Sequence, residues 1–277
     1  MDQKNSYKPI GVFDSGFGGL TVLKEIVKEM PQYDYLYLGD NARAPYGSRS
    51  YETVYEYTLE CVNHLFAMGC ELVVLACNTA SAKALRTIQQ KDLPKIDVSK
   101  RVLGVIRPTT EIIGNYSKTG HVGVLGTAGT VSSGSYLVEI EKFFPKLKVY
   151  QEACPMWVPL IENNEYQNEG ADFFIQKHVV NLMQQQPNID AIILGCTHYP
   201  LIIDKIKKNL PKNVQLLSQG TIVANGLKEY LKRHPEMEEK CSKSGTVSFY
   251  TTDLPETFDK AATLFYGKEV QSKHLAL

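Results

Sequence analysis

The sequence predicts an α/β fold of two pseudo-symmetric α/β domains, each a mostly parallel sheet flanked by helices, with a site in the cleft between them. Three observations carry this. Short apolar runs alternate with helical patterns along most of the 277 residues, the signature of parallel strands joined by crossover helices. Two of those runs end alike, Val73-Val74-Leu75-Ala76-Cys77-Asn78-Thr79 and Ile192-Ile193-Leu194-Gly195-Cys196-Thr197-His198. Two others open alike, Gly11-Val12-Phe13-Asp14-Ser15-Gly16 and Gly123-Val124-Leu125-Gly126-Thr127-Ala128, and each precedes its cysteine motif at a comparable distance. Such a repeat describes two related halves. Each places a thiol at the carboxyl end of a buried strand, where the crevices of open α/β sheets lie.

Taken in order, strand-like runs fall at 9–13, 34–38, 72–76, 102–106, 122–126, 147–151, 190–195, 214–217 and 247–251. The clearest helix follows Ser50. There Val54, Tyr57, Thr58, Cys61, Leu65 and Met68 recur at helical spacing as one buried stripe, which makes Cys61 a core residue. Ala80, Ala82, Ala84, Leu85 and Ile88 give a helix-favouring segment just after Thr79. Pro200 suits a first helical turn, with Ile202, Ile203, Ile206 and Leu210 continuing an apolar face behind it. Both cysteine motifs are therefore expected at helix starts, where unpaired N–H groups and positive partial charge favour thiolate and attract carboxylates. A helix at 221–233, a strand at 247–251 and a helix at 255–266 most simply complete the first half's sheet. The expected division is residues 1–101 with 220–277 as the first domain and 102–219 as the second, the polar stretch Lys91–Arg101 marking the change.

Composition narrows the partners. Hydrophobic residues make up 43% of the chain, enough for a substantial core, and thirty basic residues cancel thirty acidic ones. With no long basic run there is no electrostatic footprint for nucleic acid or an anionic membrane, so a small molecule is the expected partner. The amino terminus, Met1 to Lys8, is polar, and no apolar run approaches membrane-spanning length, so a cytoplasmic location is expected. The six cysteines include no C-x-x-C pair and no zinc-like grouping, which in a reducing compartment means free thiols and no metal.

A lone buried cysteine is ordinarily a small hydrophobe. Cys70, Cys154 and Cys241 fit that description, whereas Cys77 and Cys196 carry polar neighbours, Asn-Thr and Thr-His, that can orient a reactive sulfur. The thiolate is the active form, and an ordinary thiol is only about a few per cent ionised at neutral pH, so function requires help. Asp14 and His198 are the groups placed to give it. Two thiols flanking one carbon, one as base and the other as acid, would invert a stereocentre without a cofactor. Ser15-Gly16-Phe17-Gly18-Gly19-Leu20 does not fit G-x-G-x-x-G and no Walker lysine is present; its amides suit a small anion instead. Tyr46, in Pro45-Tyr46-Gly47, is either a loop anchor or a site wall.

These residues together resemble the glutamate racemases of the aspartate/glutamate racemase family, cofactor-independent enzymes that supply D-glutamate for bacterial peptidoglycan. The similarity runs through Phe13-Asp14-Ser15-Gly16 with Gly18-Gly19-Leu20, Gly39-Asp40, Pro45-Tyr46-Gly47, Ala76-Cys77-Asn78-Thr79-Ala80, Gly126-Thr127 with Gly129-Thr130, Val158-Pro159-Leu160, Gly195-Cys196-Thr197-His198-Tyr199-Pro200 and Phe249-Tyr250-Thr251-Thr252. The resemblance implies that Cys77 and Cys196 are the acid/base thiols, Cys77 taking the proton of the D isomer and Cys196 that of the L isomer, assisted by Asp14 and His198. It implies substrate contacts at Asp14, Ser15, Tyr46, Gly47, Asn78, Thr79, Thr197 and His198. Asp40, Glu162, Thr127 and Thr130 match further positions with less defined roles. No cofactor is implied, and a homodimer is the expected assembly. The chain departs from the family pattern at Arg107-Pro108-Thr109 and at Ser218-Gln219-Gly220.

Three rival readings stand beside this one. A racemase of another acidic amino acid, aspartate above all, would use the same two-thiol chemistry, although Cys-Thr-His resembles the glutamate enzymes and Cys-Thr-Glu the aspartate ones. A non-catalytic carboxylate-binding module predicts that serine at both cysteines leaves affinity intact. A dithiol redox protein is the third, weakened by the absence of C-x-x-C.

Overall fold

The computed structural model describes residues 7–277, so Met1 to Ser6 of the polar amino terminus lie outside the described residues. Among the described residues ten strands form two parallel sheets. The strands are β1 (Ile10–Asp14), β2 (Tyr35–Gly39), β3 (Leu72–Leu75), β4 (Arg101–Gly104), β5 (His121–Gly126), β6 (Lys148–Ala153), β7 (Ala191–Gly195), β8 (Gln215–Leu217), β9 (Val247–Thr251) and β10 (Ser272–His274). The first sheet runs β10-β9-β2-β1-β3-β4 and the second β6-β5-β7-β8. The four strands β2-β1-β3-β4 and β6-β5-β7-β8 follow the same order, which is the sequence repeat realised as topology.

Strands β1, β2, β3 and β7 are buried along their whole length, as strands covered by helices on both faces must be, and this is why they read as unbroken apolar runs. In each sheet the chain leaves the central strand toward one side and returns on the other. The ends of β1 and β3, and of β5 and β7, thus bound the crevice at a topological switch point. One continuous core includes Ile10, Val12 and Tyr37 from the first half and Leu125, Trp157, Ile192 and Leu194 from the second. The helix Tyr51–Ala67 starts at Ser50, whose hydroxyl accepts from Thr53 N at 3.1 Å, and buries Val54, Thr58, Cys61, Val62, Leu65 and Phe66. Cys70 packs on Gly11, where an added Cβ would meet its sulfur at 3.1 Å.

Two features differ from the sequence reading. The run expected at 102–106 to open the second domain is β4, which pairs with β3 through Leu72↔Arg101 to Leu75↔Gly104 and ends the first sheet. The chain crosses to the second half only afterwards, through the helix Ile106–Thr110. The reason is that 91–100 lies within the connection from β3 back to β4, helical as far as Ile96, and Arg101 already opens β4. Strand β10 was not expected, because Ser-Lys-His has no apolar signal and joins the sheet edge beside β9. The strand at 247–251 does return to the first sheet, pairing with β2. None of the helices among the described residues is long and apolar enough to cross a membrane.

Candidate active site

In the first half, Asp14 ends β1 and Cys77 lies just past β3, tied to β1 by Ala76 N donating to Phe13 O at 2.7 Å. Cys77 caps the short helix Asn78–Lys83, its sulfur accepting from Ala80 N at 3.4 Å and lying 3.4 Å from Ser15 Oγ. The thiol is 6% exposed. Burial, and then the Asp14 charge, push it up to about 12, against the hydrogen bonds from Ser15 and Ala80. The Cys196 sulfur adds a smaller upward push.

In the second half, Cys196 follows β7 directly and is also 6% exposed. Its sulfur lies 3.8 Å from His198 Nδ1, and His198 Nε2 lies 2.9 Å from Glu162 Oε1. Burial works against a charge on this imidazole, yet the hydrogen bonds to Cys196 and Glu162 outweigh it and push His198 up to about 10. The Glu162 carboxylate accepts at Nε2, and a value near 10 keeps the ring doubly protonated at neutral pH. The rings of His198 and Phe265 meet edge to face at 5.2 Å. The expected helix start is here a 3₁₀ turn, Tyr199–Ile202 with Pro200 in it, and the α-helix begins only at Ile203. Cys196 thus stands just before a helical start capped at His198, with the imidazole ring beside it as a second source of positive charge.

Asp14 stands at the end of β1. It is 1% exposed, and burial pushes its carboxyl up to about 6, against the pull of His198 and the Gly19 and Gly16 amides. Its Oδ2 accepts from Gly16 N at 3.0 Å, while Oδ1 has no hydrogen-bond partner. The loop after β1 lies directly on the loop after β7: a Cβ built on Gly18 would sit 2.2 Å from Thr197 Oγ1 and 2.4 Å from His198 Nδ1. Only glycine permits that approach.

The remaining expected residues occupy the seam or its supports. Thr79 Oγ1 lies 3.0 Å from Thr127 Oγ1 and 3.4 Å from Thr130 Oγ1, so these hydroxyls span the two halves. Gly47 O accepts from Gly129 N at 2.7 Å, a second strap between them. Tyr46 is buried with its hydroxyl donated to Asp40 Oδ2, and Asp40 also accepts from Arg43 Nε and Thr252 Oγ1, each at 2.8 Å. Three donors thus occupy the Asp40 carboxylate, which holds the Tyr46–Gly47 loop in place. Asn78 meets Gln219 and Tyr136 in a buried cluster that sequence reasoning reached only as an unexplained departure at Ser218-Gln219-Gly220. A cavity of about 730 Å³ lies elsewhere, among Leu85, Arg107, Val138 and Leu227, and neither thiol lines it. Among the described residues no group of three or more acidic, histidine or cysteine side chains is placed to hold a metal.

The profile of the Asp/Glu/hydantoin racemases matches residues 10–226. A glutamate racemase of Persephonella marina is 38% identical over 269 residues, 97% of each chain. Among solved structures, a glutamate racemase of Bacillus anthracis superposes with a TM-score of 0.88 at 32% identity over 99% of both chains. That of Francisella tularensis, in complex with D-glutamate, gives 0.86 at 31% identity over 98% of both. An aspartate racemase of Picrophilus torridus, 20% identical with a TM-score of 0.53, shares the fold.

Proposed function

The chain belongs to the Asp/Glu/hydantoin racemase family, and on that premise we propose that it interconverts L- and D-glutamate without a cofactor, with Cys77 and Cys196 as the two acid/base groups. One observation carries this reading. Each thiol stands at a strand end beside the switch point of its own sheet, Cys77 within reach of the Asp14 charge and Cys196 3.8 Å from an imidazole that Glu162 holds. The surroundings of the two sulfurs differ. Burial and Asp14 hold Cys77 as a thiol, a proton donor. Cys196 lies 3.8 Å from Nδ1 of His198, itself pushed up to about 10.

That asymmetry is the arrangement needed for the L isomer. The Cys196 thiolate takes the α-proton, negative charge passes into the substrate's α-carboxylate, and Cys77 delivers its own proton to the opposite face. The D isomer then leaves with Cys77 as thiolate and Cys196 as thiol, and the return reaction runs the same steps in reverse. Asp14 and His198 act on the ionisation of the thiols, while Ser15, Asn78, Thr79 and Thr197 offer donors to the carboxylates. Glutamate is preferred over aspartate because the full-length relatives are glutamate racemases. In a bacterial cytoplasm the product would feed peptidoglycan synthesis.

The test is incubation of each glutamate isomer in heavy water with no added cofactor, with aspartate in parallel. Inversion with solvent deuterium at the α-carbon is the expected outcome. Absence of exchange, a requirement for pyridoxal phosphate, or faster turnover of aspartate would each overturn the proposal.

A further inference from the structure

The side chain next to Cys77 is held by a buried amide array whose hydrogen bonds admit one orientation. Gln219 Nε2 lies 3.1 Å from Val105 O, 3.1 Å from Thr109 Oγ1 and 2.9 Å from the Tyr136 hydroxyl. A backbone carbonyl can only accept, so the nitrogen of the Gln219 amide must face Val105. Its Oε1 then faces Asn78, where it accepts from Nδ2 at 2.6 Å. Asn78 Oδ1 is left to accept from the Tyr136 hydroxyl at 2.7 Å. Gln219 and Asn78 are each 3% exposed and Tyr136 is fully buried. Reversing either amide would set donor against donor or acceptor against acceptor away from water, where each lost bond is costly.

The array draws its members from both halves. Asn78 follows the Cys77 strand, Tyr136 belongs to the helix Ser135–Phe143 after β5, and Gln219 begins the helix Gln219–Arg233 after β8. The Tyr136 ring also packs on the last residue of β7: a Cβ on Gly195, the residue before Cys196, would meet its Cε2 at 3.2 Å. The two departures from the family pattern touch here, Thr109 accepting from Gln219. Asn78 Nδ2 makes one bond within the protein and keeps a second hydrogen to offer.

We propose that Gln219 is a positioning residue that, with Tyr136, locks the Asn78 amide so that its remaining N–H is presented to a substrate carboxylate beside Cys77. This rests on the glutamate racemase reading above. The experiment compares the parent with Gln219→Leu, Tyr136→Phe, Asn78→Ala and the Gln219→Leu/Asn78→Ala double variant. It measures KM and kcat for D-glutamate, and glutamate affinity by calorimetry, which needs no turnover. Losing one hydrogen bond to a charged group predicts a KM raised about tenfold or more in Gln219→Leu and Tyr136→Phe, with kcat changed less. In the Asn78→Ala background, Gln219→Leu should weaken affinity by less than about twofold further, since its effect passes through Asn78. Tyr136→Phe removes one hydroxyl from an unchanged ring and decides the matter if the leucine variant fails to fold. A KM within about twofold of the parent in Tyr136→Phe, or effects of Gln219→Leu and Asn78→Ala that multiply in full, would refute the inference while leaving the racemase reading intact. A parent chain inert towards glutamate refutes both.

Discussion

Replacing Glu162 by Gln keeps the volume of the side chain and removes the carboxylate that accepts from His198 Nε2 at 2.9 Å. The pair is largely buried, His198 being 6% and Glu162 21% exposed at the side chain. A charge-assisted hydrogen bond of this kind is worth about 1.5–3 kcal/mol. At about 1.36 kcal/mol per pH unit, its loss moves the His198 titration from about 10 to about 8 or 9. Because the folded value lies above the ordinary 6.5, protonation of His198 stabilises the fold below pH 6.5, and that contribution is lost as pH rises toward 10. Glu162→Gln should therefore cost about 1.5–3 kcal/mol in urea unfolding at pH 6 and little above pH 10. The alkaline limb of kcat for L-glutamate should move down by about one to two pH units. An alkaline limb still near 10, or an equal stability loss at both pH values, would show that Glu162 does not sustain the imidazolium.

Three further outcomes are expected. Cys77→Ser and Cys196→Ser should each lower kcat by about a thousandfold or more, since a serine hydroxyl is far less acidic than a thiol, and near-normal racemisation by the double variant would end the two-thiol scheme. Asp14→Asn should erase an acid limb near pH 6 in kcat. The folded Asp14 value lies above 3.8, so its stabilising contribution is present below that value and lost as pH rises through 6; at pH 8 the asparagine variant should be no less stable than the parent, and a large loss there would contradict the burial argument. Gly18→Ala sets a methyl group 2.2 Å from Thr197 Oγ1, so kcat/KM should fall about a hundredfold or more while circular dichroism keeps its parent form; unchanged kinetics would mean the two loops do not need this contact.

Much of the candidate site was legible because its parts recur. A buried strand that stops at a cysteine with small polar neighbours is visible twice, and so is the strand that ends at Asp14 or Gly126. Glu162 carried little signal: it closes the short helix Trp157–Glu162, where a solvated acid would look the same, and its role appears only when His198 is seen 2.9 Å away. Asp40 shows the opposite case. Its motif drew attention, and the structure spends its carboxylate on Tyr46, Arg43 and Thr252 rather than on the thiols. Gln219 was noticed as a departure, with nothing in the chain to say that Thr109, Tyr136 and Asn78 meet it.

The sequence by itself determined the α/β alternation, the duplicated strand–cysteine unit and the two thiols, because burial periodicity and strand-end chemistry are written in neighbouring residues. Only the tertiary structure decided that β4 closes the first sheet, that β10 extends it, and that Glu162 meets His198 beside Cys196. Those outcomes depend on which strand edges find each other and which side chains from distant segments are buried together. Such choices are made by packing across the whole chain, where hydrogen bonds and charges far apart in sequence must be satisfied at once.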